Sequence, residues 1–356
     1  MSKLNIKIVP NGNLPYESTE LCKQMMRKLY GDIPYLVELP KINKTDTTLN
    51  RTISGFGGLK MEKNNLVLNE NSELFKRDLN LLGDIYNEPT KDKLEKFGIT
   101  APYLETFKNM LKEYPSKYAV LKLFGIFSLT RNISNIDTRD MLLGKIYRKF
   151  CIQAITAKAL WFIETVREIS PETKPVIVFD EPLLNTFSNI KRINEVISDE
   201  TLTSLFAKVF QKVQSHGGLV CVQSFSKCNW LTVLNAKPDV ISFAAYTNPN
   251  NLNIIPDEIN QFMSQGGVIN WGIIPVDNEK IIKNTTLDYI SNRLSKTMEE
   301  LATNGGARDL IYSHSSVSVQ GDVANIPLFF AERAHMMAKQ LSAKMPTKPV
   351  LPPPED

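Results

Sequence analysis

Eight short apolar runs punctuate the chain, at residues 6–10, 35–39, 118–124, 175–179, 218–223, 240–244, 267–273 and 309–312. Each is nearly continuous rather than alternating, the pattern of strands buried on both faces of a parallel sheet. Segments with helical spacing lie between most of them. In 18–30, Ser18 or Thr19 offers an N-cap, and Leu21, Met25, Met26 and Leu29 recur on one face. A long segment at 138–169 carries Met141, Leu142, Ile146, Phe150 and Ile155, and others span 191–214, 229–235, 257–264, 278–303 and 326–342. Eight strands alternating with helices is the count of a (β/α)8 TIM barrel. A doubly wound open sheet alternates in the same way, and periodicity does not separate the two.

One connection is abnormally long. Residues 41–117, between the second and third runs, hold the turn Ser54-Gly55-Phe56-Gly57-Gly58 and two helical stretches near 74–86 and 91–113. The reading is a long helical insertion between strands two and three, a length that usually serves function or forms a lid. The glycines do not form a phosphate loop, because no Gly-x-x-x-x-Gly-Lys-Ser/Thr is present. Nothing marks a boundary inside residues 1–343, so one barrel domain is expected there. Five prolines in 344–356 predict a disordered tail.

Charge and composition narrow the function. There are 42 Lys and Arg against 38 Asp and Glu, and a net +4 over 356 residues is too weak to argue nucleic acid or an acidic membrane as partner. No apolar stretch reaches the length of a transmembrane helix, and the start of the chain lacks an apolar core of signal-peptide length. A cytoplasmic protein is expected. Four scattered cysteines do not form a disulfide framework, and only three histidines are available for metal or acid–base chemistry.

In a barrel, chemistry belongs where strands end. The ends supply Asn11-Gly12-Asn13, Glu38, the pair Asp180-Glu181, Gln223, Trp271 and His314. Two adjacent carboxylates closing an apolar strand are costly unless solvated, paired or hydrogen-bonded. Either the pair meets a ligand, or one carboxylate caps the next helix while the other bonds a loop. His314 is the one histidine at an expected strand end, and as a general base it needs an orienting partner. His216 precedes a strand and His335 falls in the last helix. Asp180, Glu181 and His314 are therefore the catalytic candidates. All six of Asn13, Glu38, Asp180, Gln223, Trp271 and His314 are expected around one pocket.

Taken in order, the strand ends resemble the cobalamin-independent methionine synthase and uroporphyrinogen decarboxylase-like superfamily, nearest to short single-barrel relatives of the synthase's catalytic domain. The resemblance runs over residues 6–342. It rests on Asn11-Gly12-Asn13-Leu14-Pro15-Tyr16, Ile33-Pro34-Tyr35-Leu36-Val37-Glu38-Leu39-Pro40-Lys41, Phe179-Asp180-Glu181-Pro182, Asp239-Val240-Ile241-Ser242-Phe243 and Gly266-Gly267-Val268-Ile269-Asn270-Trp271-Gly272-Ile273-Ile274-Pro275. It implies a barrel rather than an open sheet. It also implies that Asn11, Gly12, Asn13 and Asp180 hold the backbone of an amino-acid substrate, Asp180 through a charge-assisted bond to an ammonium group. Glu38, Gln223 and Trp271 complete the candidate ligand contacts, with Trp271 either an apolar wall or a packing residue at the strand end.

The family activates a thiol with zinc, which lowers the thiol's pKa. At the matching ligand positions this chain has Gln223, Phe225, Ala244 and Ser315, so no metal and no other cofactor is expected there. Cys228 with His314, joined by Asp180 or Cys221, would be a rebuilt site. Three readings follow. The first is a methyltransferase-family barrel binding a small amino-acid or organic-acid ligand. The second is a catalytically silent barrel that binds a ligand or a partner protein. The third is a metal-independent decarboxylase or lyase run by Asp180, Glu181 and loop amides.

Overall fold

The computed structural model describes residues 4–31, 33–62, 65–135, 144–187 and 197–345. Six parallel strands form its main sheet: β3 (Tyr118–Phe124), β5 (Lys174–Asp180), β6 (Leu219–Ser224), β7 (Val240–Phe243), β8 (Val268–Pro275) and β9 (Ser315–Gln320). They lie side by side in chain order, the arrangement of a half-barrel. Helices connect them: α6 (Ile126–Asn132) and α7 (Lys145–Ile169) after β3, α8 (Asp199–Ser215) after β5, α9 (Leu231–Leu234) after β6, and α10 (Pro256–Ser264) after β7. Three helices, α11 (Glu279–Asn284), α12 (Leu287–Thr303) and α13 (Arg308–Ser313), separate β8 from β9, and α14 (Leu328–Lys344) follows.

The first two apolar runs flank this sheet. Ile8 makes a single parallel bridge to Val317 of β9, and Tyr35 one to Val120 of β3. Leu14 N–H donates to Glu38 O at 3.0 Å, tying the two flanking segments together.

Five of the other six runs are strands within a residue or two of the expected bounds, and the eighth is a correction. Residues 309–312 lie in helix α13, where Ile311 and Tyr312 are buried, and the strand is Ser315–Gln320. Its serines hid it from the hydrophobic pattern. The register lines up Asp180, Gln223, Ser242, Asn270 and Ser316 across five strands. Neighbours in a parallel register share a face, so this is one polar row, buried from Gln223 to Ser316. Asn270 Nδ2 donates to the Ser242 and Ser318 hydroxyls at 2.7 and 2.8 Å, and Ser316 Oγ donates to Asn270 Oδ1 at 3.0 Å. With partners inside the sheet, serines are tolerated where an apolar residue is the usual choice. On the other face, Phe179 stacks on Phe210 of α8.

Helix α1 (Thr19–Tyr30) is capped by Ser18, but it buries Cys22, Met26, Leu29 and Tyr30, leaving Leu21 more than half exposed. Between the second apolar run and β3 lie α2 (Thr48–Ile53), the antiparallel pair β1 (Leu59–Glu62) and β2 (Asn65–Leu68), then α3 (Glu73–Asn87), α4 (Lys91–Glu95) and α5 (Leu104–Glu113). The stretch 91–113 is two helices, with Pro102, which lacks an N–H, between them. Likewise 278–303 splits, because Thr286 caps α12 with its own hydroxyl. β2 continues as a small sheet with β4 (Ile133–Asn135). The insertion's helices α3, α4 and α5 pack against α7, which also lies on β3 and β5, so α7 is buried nearly all round. Residues 138–143 of the expected long helix, 191–196 of the next, and 346–356 of the tail lie outside the described residues.

Candidate functional site

A cavity of about 340 Å³ opens where β3, β5, β6 and β9 end, walled by Lys122, Asp180, Gln223, Phe225, Gly321 and Asp322, with Pro182 and Ser226 at its edge. Asp180 is the last residue of β5, and its Oδ1 accepts from Gln223 Nε2 at 3.2 Å. Burial pushes the Asp180 carboxyl up to about 6, against the pull of the Lys122 ammonium and the Gln223 bond; Asp322 and Glu38 add to the rise. Gln223 Oε1 is buried with no hydrogen-bond partner among the described residues, so the cavity wall presents a spare acceptor.

Lys122 comes from the middle of β3, on the face that carries Asp180. It is buried and pairs with Asp322 at 3.2 Å. Burial alone disfavours its charge. The carboxylates of Asp322, Glu38 and Asp180 and the Tyr35 hydroxyl outweigh that and hold the ammonium well above the usual lysine range. Lys122 in turn holds Asp322 below the ordinary carboxylate range. One fixed cation therefore stands among the carboxylates of Asp180, Asp322 and Glu38, of which Asp180 and Asp322 line the cavity.

The first flanking segment lies against the chain that follows β9. Gly12 has φ +84°, and a Cβ there would lie 2.7 Å from Gly321 O, so only glycine lets the first segment lie this close to the chain after β9. Asn13 N–H donates to Asp322 Oδ1 at 3.2 Å, and Asn13 Oδ1 accepts from Ala324 N at 2.8 Å. Asn11 Nδ2 donates to Val319 O at 3.2 Å. Glu38 is buried and accepts from Thr48 Oγ1 at 2.6 Å. Arg51 fixes its backbone, forking onto Asp46 at 2.6 and 2.9 Å while donating to the carbonyls of Leu36 and Val37.

Of the expected site residues, Asp180 and Gln223 line the cavity; Asn11, Gly12, Asn13 and Glu38 do not, although Asn13 bonds Asp322, and Glu181, Trp271 and His314 lie elsewhere. Glu181 is fully buried, and its two oxygens accept from the N–H groups of Phe127 and Ser128 at 3.0 and 2.8 Å, in the first turn of α6. It caps a helix, the structural alternative for one of the two carboxylates, although burial pushes it up to about 7. Trp271 points to the other face of β8, where its ring meets Phe243 edge-on and Nε1 donates to Ser315 Oγ at 2.8 Å. It is a packing residue, not a cavity wall. His314 precedes β9 rather than ending a strand. It lines a groove with Leu219, Asp239 and Gly267 at the opposite ends of the strands from Asp180. The single cause is the shifted eighth strand, which also puts Asp322 in the mouth in place of His314.

The zinc that the sequence resemblance implies does not fit these residues. Gln223 is an amide bonded to Asp180, Phe225 an apolar ring on the cavity wall, Ala244 a methyl, and Ser315 sits at the far end of β9. Cys228 follows β6, a sheet's length from His314, and its thiol is pushed up to about 12 by burial. Among the described residues no three His, Cys, Asp or Glu side chains gather in a metal-holding group.

Sequence reasoning missed Lys122 and Asp322. Lys122 had a signal, a lone charge inside Tyr118-Ala119-Val120-Leu121-Lys122-Leu123-Phe124. Asp322 had none once the last strand was misplaced.

No protein-family model matches this chain, and no curated protein does. Its fold is similar to that of a methyltransferase from Methanosarcina mazei, with a TM-score of 0.52 and 12% sequence identity, covering 96% of this chain and 94% of that one. The shared property is a methyltransferase-like fold. A structure titled as a structural analysis of an exo-beta-agarase aligns at TM-score 0.32 and 11% identity over 75% of this chain and 49% of that one, too little to argue from. Among the described residues no helix is long and apolar enough to cross a membrane.

Proposed function

We propose that this chain is a methyltransferase-like (β/α)8 barrel enzyme that binds a small amino acid or organic acid at the C-terminal mouth, without the family's zinc. The eight-stranded reading draws support from Ile8 and Tyr35, which extend the six parallel strands at either edge, and from the Leu14–Glu38 bond between the two flanks. The observation that carries the function is Asp180. It is a partly buried carboxyl, poised near 6 beside a fixed ammonium, on the wall of a cavity sized for a small ligand. Above that value Asp180 holds a substrate ammonium, or accepts the proton of a substrate heteroatom that attacks a methyl donor while the donor's leaving atom departs with the electron pair of the broken bond to the methyl carbon. Gln223 orients Asp180, and Lys122 keeps the mouth from accumulating unbalanced negative charge. The reaction class rests on fold similarity, and the binding chemistry on the residues themselves.

Calorimetric titration of the purified chain with a panel of neutral amino acids and short organic acids tests this reading. Saturable one-to-one binding by at least one compound is expected, weakened at least tenfold in a folded Asp180→Asn variant, about the worth of one charge-assisted bond. Equal affinity in that variant, or no binding across the panel, overturns it.

A further inference from the structure

Asp322 Oδ1 is the meeting point of two donors from separate parts of the chain, the Lys122 ammonium and the Asn13 N–H, both at 3.2 Å. A cation and a backbone N–H converging on one oxygen at the wall of a cavity make a seat for a carboxylate. The carboxylate in that seat is the chain's own, and it sits loosely: charge-assisted N–H···O bonds usually run at about 2.7–2.9 Å. The two partners differ sharply in burial, with 3% of the Lys122 side chain exposed and 57% of that of Asp322. The receiving side is built in, and the occupant faces solvent.

The neighbouring backbone is pinned. Ala324 N–H donates to Asn13 Oδ1 at 2.8 Å and Val323 N–H to Asn13 O at 3.4 Å. A change of side-chain rotamer at Asp322 can therefore empty the seat without moving Lys122 or Asn13. A ligand carboxylate entering there replaces one negative charge by another, so the balance with Lys122, Asp180 and Glu38 is kept.

Building on the proposed reading of the mouth, we propose that Asp322 is an internal stand-in for the substrate's carboxylate. It occupies the seat formed by Lys122 and Asn13 N–H, and it swings out when a carboxylate-bearing ligand loads. The substrate class is thereby a carboxylic acid. In an amino acid the carboxylate takes the Lys122 seat and the ammonium turns to Asp180, which fixes the orientation of the side chain. Lys122 is the specificity-determining residue.

The test compares three probes on one carbon frame: L-norvaline with both groups, pentanoate with the carboxylate alone, and n-butylamine with the ammonium alone. Each is titrated calorimetrically into the wild-type chain, Asp322→Ala and Lys122→Met. Asp322→Ala is expected to bind norvaline and pentanoate about tenfold more tightly than wild type, the effect of removing a competitor that fills the seat about nine-tenths of the time. It gains nothing for n-butylamine. Lys122→Met binds the two carboxylates at least tenfold more weakly than wild type. Asp322→Asn, which retains an oxygen for Asn13 N–H but no charge, gives a smaller gain in the same direction and replaces Asp322→Ala if that variant melts early. If n-butylamine binds the wild type but Asp322→Ala gains nothing for the carboxylates, the stand-in is overturned and the reading of the mouth survives. An equal gain for n-butylamine makes Asp322 a mere plug and also overturns it. If no probe binds any form, the reading of the mouth falls, and this inference falls with it.

Discussion

The carboxylates of Asp180 and Glu181 leave the end of β5 on opposite faces of the sheet. Asp180 turns to the polar row and the cavity, where it meets Gln223. Glu181 turns to the helical side and ends on the first-turn amides of α6. The alternation of a strand imposes this divergence, so two residues that read as one acidic motif have two different environments. Both carboxyls are raised by burial, but only Asp180 borders a space a ligand can enter.

Asp180 is destabilising when ionised. Its carboxyl is raised to about 6 in the folded chain, against an ordinary 3.8. Between those values the folded state keeps a proton that the unfolded state has lost. The stability it contributes is therefore present at low pH and disappears as pH rises through about 6. Asp180→Asn, neutral throughout, should gain on the order of 1–3 kcal/mol over wild type at pH 8 and little at pH 4. Thermal melts at the two values check this; a variant less stable than wild type at pH 8 would contradict it.

Glu181 and Gly125 constrain each other. A Cβ on Gly125 would lie 2.2 Å from the Glu181 Cδ, and the carboxylate cannot move without abandoning the two amides. Gly125→Ala is expected to cost several kcal/mol, in the range of severe overpacking with loss of a buried bond (~3–5). Glu181→Gln retains the shape but offers one acceptor oxygen for two N–H donors, and should cost about 1–3 kcal/mol. Denaturant titrations of both variants read these losses. If Gly125→Ala is the milder of the two, the close packing described for this pair is wrong.

How much of this was legible in the sequence depended on whether polar residues sat inside or outside the sheet. Strands rich in Val, Ile and Phe announced themselves, and β3, β5, β6, β7 and β8 lie where their apolar runs predict. The strand Ser315-Ser316-Val317-Ser318-Val319-Gln320 did not, because its inward serines are stabilised by Asn270, a partner 46 and 48 residues away that no local pattern reveals. That one slip misplaced His314 and Ser315 and concealed Asp322. The Asp180 position followed from the strand-end argument, and helix capping by one of the paired carboxylates was among the alternatives. Which carboxylate did so needed the phase of the strand relative to α6. Lys122 shows the converse: a charge within an apolar run reads as a surface blemish until the register puts it on the same face as Asp180.

Trp271 provides a check on the orientation of β8. Its indole N–H bonds Ser315 Oγ at 2.8 Å and its ring packs on Phe243, away from the cavity. Trp271→Phe removes the hydrogen bond and some packing area, and should lower stability by roughly 1–3 kcal/mol. Ligand affinity at the mouth should stay within about twofold of wild type, less than a kcal/mol. A large loss of affinity with little loss of stability would return Trp271 to the cavity wall.

Arg51 and Asp46 support the site without touching the cavity. Both are almost fully buried, their contact is two-pronged, and the guanidinium also takes the carbonyls of Leu36 and Val37. Asp46 Oδ2 accepts from Leu39 N–H at 2.8 Å as well. The pair thus grips residues 36 to 39 from both sides of Glu38, and so fixes a carboxylate that helps keep Lys122 charged. Burying two charges is itself expensive, whereas removing one partner strands the other in a poorly solvated interior. Arg51→Met is therefore expected to cost about 3–5 kcal/mol. The double variant Arg51→Met/Asp46→Leu should recover part of that loss, because no charge is left unpaired, although the carbonyls of Leu36 and Val37 and the Leu39 N–H lose their partners. Denaturant unfolding of the two variants distinguishes the cases. A double variant less stable than Arg51→Met alone would mean that backbone gripping, not charge pairing, is what Asp46 contributes.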